Sequence, residues 1–232
     1  MLLTVRDAAK LLGTPEKQIY RWIDDGEIPF HKVSEQLRFH RAELLEWATA
    51  RRLPISVEMF HDEDTNGKAL LDFAQALETG GVYYSVEGTD RHAVLHAVVE
   101  RMPVPKDVDR EFLLEVLLAR EAMGSTGVGD GIAIPHVRNP VVLNGALPSI
   151  TLCFLGKPVE FNAIDGRPVH TIFSLVSPTI KGHLQLLAKL SWALHDSSFR
   201  SAIMRRAQPD EILREARRVE AAFPHAGHRV EG

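Results

Sequence analysis

The sequence has almost no cysteine, no long apolar run and little net charge. Its single cysteine, Cys153, excludes an intrachain disulfide framework and is typical of a reducing compartment. The apolar runs are too short to span a bilayer, and charges close to the N-terminus argue against a signal peptide. A net charge of −4 over 232 residues creates no global field that would attract nucleic acid or an anionic membrane. We therefore expect a cytoplasmic protein without membrane attachment.

Several common functional motifs are also missing. The glycines of "GSTGVGDG" (residues 124–131) are not followed by the Lys-Ser/Thr pair of a Walker loop. A strand follows them where a dinucleotide fingerprint needs a helix, and no nucleophile elbow for Ser-His hydrolysis is present. His92 and His96 are four residues apart, but they lack the intervening glutamate of a zinc-binding HExxH motif. We expect no metal and no cofactor.

Length and composition indicate a globular protein of two modest domains. Apolar residues make up 45% and charged residues 25% of the chain. Punctuation by glycine, proline and acidic residues predicts four segments: a first domain at 1–53, a linker at 54–67, a second domain at 68–223 and a tail at 224–232. The linker carries an acidic cluster, which is typical of a solvated connector; shielding of basic residues in the first domain is the alternative.

The first domain is rich in residues that typically begin or end helices. Thr4 and Asp7 have the spacing of a capping box, and Gly13 can end the first helix. Thr14 is predicted to cap a second helix, with Pro15 at its first position. A short hairpin and a third helix follow. The stretches "LTVRDAAKLLG", "IYRWIDDGEIP" and "LRFHRAELLEW" together resemble the small winged helix-turn-helix domains of excisionases and the MerR group.

Polar side chains on the second helix and in the wing are candidate DNA contacts. They are Lys17, Gln18, Tyr20 and Arg21 on the helix and Lys32 and Arg38 in the wing. However, residues 1–53 hold nine Lys/Arg against eight Asp/Glu, which is a weak electrostatic footprint for a DNA-binding domain. Protein interaction or a purely structural use of the fold is the alternative hypothesis. A homodimer would combine two weak half-sites.

The second domain alternates between helical and extended patterns. Residues 69–79, 89–102, 109–124 and three segments after residue 182 have helical periodicity, and Thr89 is the expected cap of the second helix. Runs at 80–88, 129–135, 149–155 and 168–177 read as strands. This pattern predicts an α/β (α+β) domain in which helices flank a mixed β-sheet.

"GDGIAIPH" (residues 129–136) presents a histidine at the end of an apolar strand. Pro135 removes a ladder donor and limits the strand, so His136 is expected near the surface. A neutral imidazole is a good nucleophile near pH 7. It can take a phosphoryl group if a cation binds the phosphoryl oxygens and a partner fixes the ring tautomer.

The stretch "LLAREAMGSTGVGDGIAIPH" (residues 117–136) strongly resembles the enzyme IIA domains of the bacterial sugar phosphotransferase system, of the fructose/mannitol type. Within that group it is most similar to the nitrogen-regulatory branch. The resemblance implies that His136 accepts a phosphoryl group from HPr or a paralogous phosphocarrier. It also implies that Arg120 and His183 are active-site residues.

Three further residues are candidates for stabilising the phosphoryl group. Ser125 and Thr126 could donate hydrogen bonds. Arg138 could add positive charge after His136, where many relatives have glycine followed by a basic or small residue. Because Val137 resists positive φ, the loop after His136 is expected to differ from that of the relatives.

The leading hypothesis is a regulatory phosphotransferase-system phosphocarrier whose phosphorylation at His136 is coupled to binding of DNA or of a regulatory protein by the first domain. Two alternatives remain open. One is a transport component that passes phosphate to a sugar-specific subunit. The other is a binding module that is not phosphorylated.

Overall fold

The computed structural model describes residues 2–33, 36–51, 53, 55, 71–136 and 146–223. The predicted linker (54–67), the tail (224–232) and Arg138 lie largely or wholly outside these residues. The chain divides into two compact units, of which the second is Leu71–Ala221. The boundaries predicted from the sequence stay a prediction. Within the described residues, every helix is too short or too polar to cross a membrane.

The first unit is a helix-turn-helix followed by a hairpin and a third helix. Its elements are β1 (Leu2–Leu3), α1 (Val5–Leu11), α2 (Glu16–Asp24), β2 (His31–Val33), β3 (Gln36–His40) and α3 (Arg41–Ala50). The strands form an antiparallel sheet in the order β1-β3-β2. The predicted helices and wing are present, whereas β1 was not predicted. It is only two residues long and therefore too short to show a period of two.

The caps predicted for α1 and α2 have different outcomes. The capping box at Thr4 is confirmed: the Asp7 amide donates to Thr4 Oγ1 at 3.2 Å, and the Thr4 amide donates to Asp7 Oδ2 at 3.0 Å. The prediction that Thr14 caps α2 is wrong, because the N-cap residue is Pro15 and no side chain caps this helix. The third helix is tied back by Trp47 Nε1, which donates to the Glu27 carbonyl at 2.7 Å.

The second unit is a five-stranded mixed sheet flanked by helices, as predicted. Its elements are α4 (Phe73–Gly80), β4 (Val82–Val86), α5 (Arg91–Arg101), α6 (Arg110–Ala122), β5 (Gly127–Gly129), β6 (Ile132–Ala133), β7 (Ser149–Val159), β8 (Val169–Val176), α7 (Ile180–His195), α8 (Ser197–Met204) and α9 (Pro209–Ala221). The strand order is β4-β7-β8-β6-β5. The β4–β7 and β6–β8 pairs are parallel, and the β7–β8 and β5–β6 pairs are antiparallel.

Both faces of the central strands are buried over Ser149–Leu155 of β7 and nearly all of β8, in agreement with their mostly apolar sequence, whereas Gly156, Lys157 and Pro158 are exposed. One face packs against α5 and α6 through residues that include Val98, Leu117, Cys153 and Ile172. The expected cap of α5 at Thr89 is wrong: the neighbouring Asp90 accepts from the Ala93 amide. Close packing of the buried residues of β7 and β8 makes the centre of the sheet rigid.

The β5–β6 hairpin replaces the single strand predicted at residues 129–135. Gly131 turns the chain with φ +70°, and a Cβ at this position would lie 2.4 Å from the His170 ring. Glycine is therefore required here for both the turn and the close approach of the backbone. Asp130, in the same turn, forms ion pairs with Arg167 and Arg200.

The start of the second unit is fastened by a buried ion pair. Lys189 Nζ of α7, a residue only 5% exposed, lies 2.6 Å from the Leu71 carbonyl and 2.6 Å from Glu220 Oε1 of α9. The Glu220 carboxylate also accepts from the Phe73 and Ala74 amides in the first turn of α4. One cation and one carboxylate thus join three helices.

Candidate functional site

His136 lies beyond the end of β6 and is fixed by backbone contacts. It forms an isolated parallel bridge with Leu175 of β8. The preceding Pro135 carbonyl accepts from Ser174 Oγ at 3.0 Å. The His136 Nδ1 atom lies 2.7 Å from the Ile134 carbonyl oxygen. Contacts with β8 thus hold Pro135 and His136 just beyond the end of β6.

His183 is brought to the same place by the first turn of α7. Thr179 caps this helix, with its Oγ1 accepting from the Gly182 amide at 3.0 Å. A Cβ on Gly182 would lie 2.5 Å from Ser177 Oγ, so glycine allows the helix to start close against the end of β8. The ring centroids of His183 and His136 are 4.9 Å apart, with an interplanar angle of 36°. The two histidines singled out in the sequence are neighbours.

Both imidazoles are buried. His136 is 3% exposed and His183 is 4% exposed. The expectation that His136 lies near the surface is therefore wrong. Its physical basis was that proline ends the strand, but a strand end is exposed only if no other element covers it. Here the His183 ring, in the first turn of α7, lies beside that of His136.

Arg120 is in the last turn of α6 and leads into the loop before β5. Its Nη1 donates to the Gly124 carbonyl at 3.0 Å. Two residues farther on, the Thr126 carbonyl accepts from the Ile134 amide at 2.9 Å. The guanidinium is thus held at the start of a loop whose backbone pairs with the segment that leads to His136. Its role toward a phosphoryl group stays a prediction.

The hydroxyl groups of the two other candidates in this loop make contacts with protein atoms. Ser125 Oγ donates to the Phe161 carbonyl at 2.5 Å and accepts from the Gly127 amide at 3.0 Å. Thr126 Oγ1 donates to Glu121 Oε2 at 2.5 Å. These bonds shape the loop, and a direct role of either hydroxyl toward phosphate stays a prediction.

Glu121 is a residue of this region that sequence reasoning missed. It is 3% exposed on the inner face of α6, together with Leu113, Leu114 and Leu117. Burial is the leading influence on its carboxyl group and raises the pKa, against the opposing effect of hydrogen bonds from Thr126. A signal was present in the sequence: an acidic residue falls on an apolar helical stripe, where charged residues occur almost only with partners.

In the first unit, the residues predicted to contact DNA are in more open positions. Lys17, Tyr20 and Arg21 on α2 and Lys32 on β2 are exposed, whereas Gln18 and Arg38 are half-buried. Arg21 Nε lies 3.9 Å from Asp25 Oδ2, and the Arg38 guanidinium donates to Gln36 Oε1. Of the predicted contacts, the cations Lys17, Arg21 and Lys32 are therefore on the surface, and Arg21 lies beside Asp25.

The Cys153 thiol and the potential metal ligands offer no further reactive site among the described residues. Burial raises the pKa of the Cys153 thiol to about 12, which keeps the sulfur protonated and poorly nucleophilic. In the part of the chain that the structure describes, His, Cys, Asp and Glu side chains form no group of three or more suited to a metal ion.

Comparison with known proteins gives two separate family matches. Residues 76–217 match the family model described as phosphoenolpyruvate-dependent sugar phosphotransferase system, EIIA 2. Residues 2–52 match the model of a helix-turn-helix domain.

Individual relatives agree with the larger match. The nitrogen regulatory protein of Pseudomonas aeruginosa is 34% identical over 161 residues, which cover 66% of this chain and 94% of that protein. The corresponding protein of Escherichia coli is 32% identical over 157 residues. The crystal structure of nitrogen regulatory protein IIA-Ntr from Neisseria meningitidis has a TM-score of 0.54 at 28% identity, covering 62% of this chain and 97% of that one.

Proposed function

The chain belongs to the phosphoenolpyruvate-dependent sugar phosphotransferase system EIIA 2 family and carries an N-terminal helix-turn-helix domain, and from this premise we propose that it is a regulatory phosphocarrier. His136 accepts a phosphoryl group from a histidine-phosphorylated carrier of the HPr type. The protein then acts as a phosphotransferase in the cytoplasm. Its phosphorylation state controls binding of DNA or of a regulatory protein by the first unit.

The observation that carries this proposal is the hydrogen bond between His136 Nδ1 and the Ile134 carbonyl, at 2.7 Å. A carbonyl oxygen can only accept, so the proton of the neutral ring belongs on Nδ1. The lone pair is then on Nε2. A fixed tautomer with one defined nucleophilic nitrogen is what transfer to a histidine requires.

The transfer itself exchanges one P–N bond for another. The lone pair of His136 Nε2 attacks phosphorus, and the P–N bond to the carrier's histidine breaks as the new bond forms. The carrier's ring leaves with that electron pair. The product ring of His136 keeps its Nδ1 proton and gains positive character, which the Ile134 carbonyl dipole stabilises.

The remaining candidates would act on the phosphoryl oxygens. The His183 ring is close enough for its N–H to reach a group attached to His136, since the ring centroids are 4.9 Å apart. Arg120 would supply a fixed positive charge, and Arg138 a second. Ser125 and Thr126 would contribute by shaping the loop or by donating hydrogen bonds. Because His136 is 3% exposed, the ring edge must become accessible before the carrier's phosphoryl group can reach it.

Regulation is favoured over transport by two findings. A helix-turn-helix domain precedes the EIIA region, and several relatives of the chain are named nitrogen regulatory proteins. A phosphoryl group adds about two negative charges, which is enough to alter a docking surface. A homodimer would present two copies of α2 to DNA.

Radiolabelled phosphoenolpyruvate and a reconstituted carrier system test the phosphoryl acceptor. We expect label on the wild-type protein and on the matched control His96→Gln, which alters an exposed histidine of α5. We expect none on His136→Gln. A wild-type protein that takes no label from a competent donor would contradict the proposal and favour a binding module. Onward transfer of label to a sugar-specific subunit would favour transport.

A gel-shift assay tests the regulatory part separately. Phosphorylated and unphosphorylated protein are compared on mixed-sequence double-stranded DNA, with His136→Gln as the control that cannot respond. A difference in affinity seen with wild type and not with the variant supports coupling. Equal affinities for DNA and for every protein partner tested would remove the coupling and leave the phosphocarrier.

A further inference from the structure

A buried carboxylate lies behind the candidate active site. Glu121 shares the inner face of α6 with three leucines and is 3% exposed. Burying a carboxylate costs on the order of several kcal/mol of folding free energy unless hydrogen bonds and opposite charges compensate. The groups that compensate the Glu121 carboxylate therefore indicate its role.

Those partners are in the loop that follows α6 and at the start of α5. Glu121 Oε2 accepts from the Thr126 amide at 3.0 Å and from Thr126 Oγ1 at 2.5 Å. Arg91 Nη1 lies 4.0 Å from Glu121 Oε1, and the Arg91 guanidinium lies over the Phe161 ring, 5.5 Å from its centroid. Both hydrogen bonds converge on one residue, so the carboxylate fixes the position of Thr126.

The backbone of Thr126 leads directly to His136. The Thr126 carbonyl accepts from the Ile134 amide at 2.9 Å, and the Ile134 carbonyl in turn lies 2.7 Å from His136 Nδ1. Each link in this series positions the next group: carboxylate, loop, strand residue and imidazole. On the other side of the loop, Ser125 Oγ is held by the Phe161 carbonyl.

We propose that Glu121 is a positioning residue, which holds the Thr126 loop and the Ile134 carbonyl so that the His136 ring keeps its proton on Nδ1 and its lone pair on Nε2. The inference deepens the proposed phosphocarrier function and rests on it. Because Glu121 lies on the inner face of α6 among buried leucines, we expect it to stay outside the surface that a docked carrier contacts. Its loss should lower kcat for phosphoryl transfer and leave KM for the carrier unchanged.

The kinetic test uses the full chain with four substitutions. Glu121→Gln keeps the shape and removes the charge, and Thr126→Val removes one hydrogen bond at nearly constant volume. We expect either change to lower kcat about 10-fold or more, because small misplacements of a reacting group have effects of that size. Thr126→Ser restores the hydroxyl and should restore kcat. Glu115→Gln, which alters an exposed acidic residue of the same helix, should have no effect.

A second measurement does not depend on phosphorylation. Nitrogen chemical shifts of the His136 ring report which nitrogen carries the proton, and we expect the Nδ1–H form in wild type and a mixture of both forms in Glu121→Gln and Thr126→Val. If wild type takes no phosphate, the proposed function fails while these shifts still test Glu121.

Folded variants with wild-type kcat and wild-type ring shifts would overturn the inference, even if they melt at a lower temperature. That result would make Glu121 a purely structural residue. If Glu121→Gln does not fold, the ring shifts of Thr126→Val and Thr126→Ser decide the question, because a hydroxyl that acts only on phosphate would leave them unchanged.

Discussion

The two units keep their candidate functional side chains in opposite environments. In the first unit, Lys17, Arg21 and Lys32 are exposed, and Arg21 lies 3.9 Å from the exposed Asp25. In the second unit, His136 and His183 are at most 4% exposed and are fixed by backbone hydrogen bonds, a helix cap and a close helix–strand contact.

The difference shows that one chain can hold sites that respond to different conditions. Charges on the surface act over distances that salt shortens, with a Debye length of about 8 Å at physiological ionic strength. A buried ring depends on the geometry of its neighbours, which salt barely changes. The first unit should therefore respond to ionic strength and the second to substitutions in its interior.

The largest expected effect is on DNA binding by the first unit. If all four cationic side chains among the six predicted contacts neutralise phosphates, raising the salt from about 50 to about 200 mM should weaken binding to mixed-sequence DNA about 100-fold. Fluorescence anisotropy with labelled DNA measures this, and kcat for His136 phosphorylation should hardly change over the same range.

Matched lysine substitutions sharpen that experiment. Lys17→Gln should reduce the slope of log affinity against log salt by about one, whereas Lys106→Gln, at an exposed position of the second unit, should not. Affinity that does not depend on salt, or no binding at all, would break the comparison and favour a protein-interaction role for the first unit.

Chemical modification of histidine should separate exposed from buried rings. We expect diethylpyrocarbonate to modify His136 and His183 at least about 10-fold more slowly than His92 and His96, because reaction at a buried ring needs a local opening. Peptide mass spectrometry over a time course gives the individual rates. Fast modification of His136 in the folded protein would show that the ring is accessible after all.

A smaller effect is expected at the capping box of α1. Hydrogen bonds from Thr4 lower the pKa of Asp7. These bonds therefore stabilise the folded state at pH values above the usual titration range of an aspartate. The stabilisation disappears as the pH falls through the folded-state pKa. Thr4→Ala should lower the free energy of unfolding of the first unit by about 1 kcal/mol at neutral pH.

The difference in the free energy of unfolding between wild type and Thr4→Ala should shrink as the pH falls below about 4, where aspartates protonate. Denaturation in a Trp192→Phe background follows Trp22 and Trp47, both in the first unit. A difference that does not vary with pH would show that the Asp7 carboxylate contributes nothing to this cap.

The smallest effect concerns the acidic neighbour of Arg21. Asp25 lies 3.9 Å from the guanidinium, and an exposed pair of this kind contributes little energy. Asp25→Asn should release Arg21 and strengthen DNA binding about 2- to 3-fold at low salt, with Asp24→Asn as the control for net charge. Equal effects of the two substitutions would mean that only total charge matters.

Much of the architecture could be predicted from the sequence because it depends on local patterns. Helical periodicity located α1 and α5, and the Thr4–Asp7 spacing identified the first cap correctly. The caps at Thr14 and Thr89 were wrong because an adjacent residue, Pro15 or Asp90, could also take the N-cap position. Spacing alone does not distinguish Thr89 from Asp90, since both residue types cap well. At α2 the helix begins after Pro15 and has no side-chain cap.

The sequence indicated candidate residues for the site, whose roles stay predictions, and it indicated less about the environment of those residues. His136 and His183 are 47 residues apart in sequence, and the resemblance of the motifs indicated both before any distance between them was known. Burial of the rings depends on where β8 and α7 end in space, which no local pattern specifies. Glu121 escaped notice because its partner, Thr126, belongs to a loop whose path the sequence does not define.

The ion pair of Lys189 and Glu220 has a practical consequence for anyone who cuts this protein into separate parts. A fragment that begins after Leu71 would lack the carbonyl that accepts from the Lys189 ammonium group, and one that ends before Glu220 would lack the carboxylate. The ammonium group has little access to water that could replace them. A fragment that is meant to report on the histidines should therefore start upstream of Leu71 and run past Glu220. Otherwise the helix that carries His183 loses its anchor, and weak phosphorylation of such a fragment would reflect damage at the cut ends.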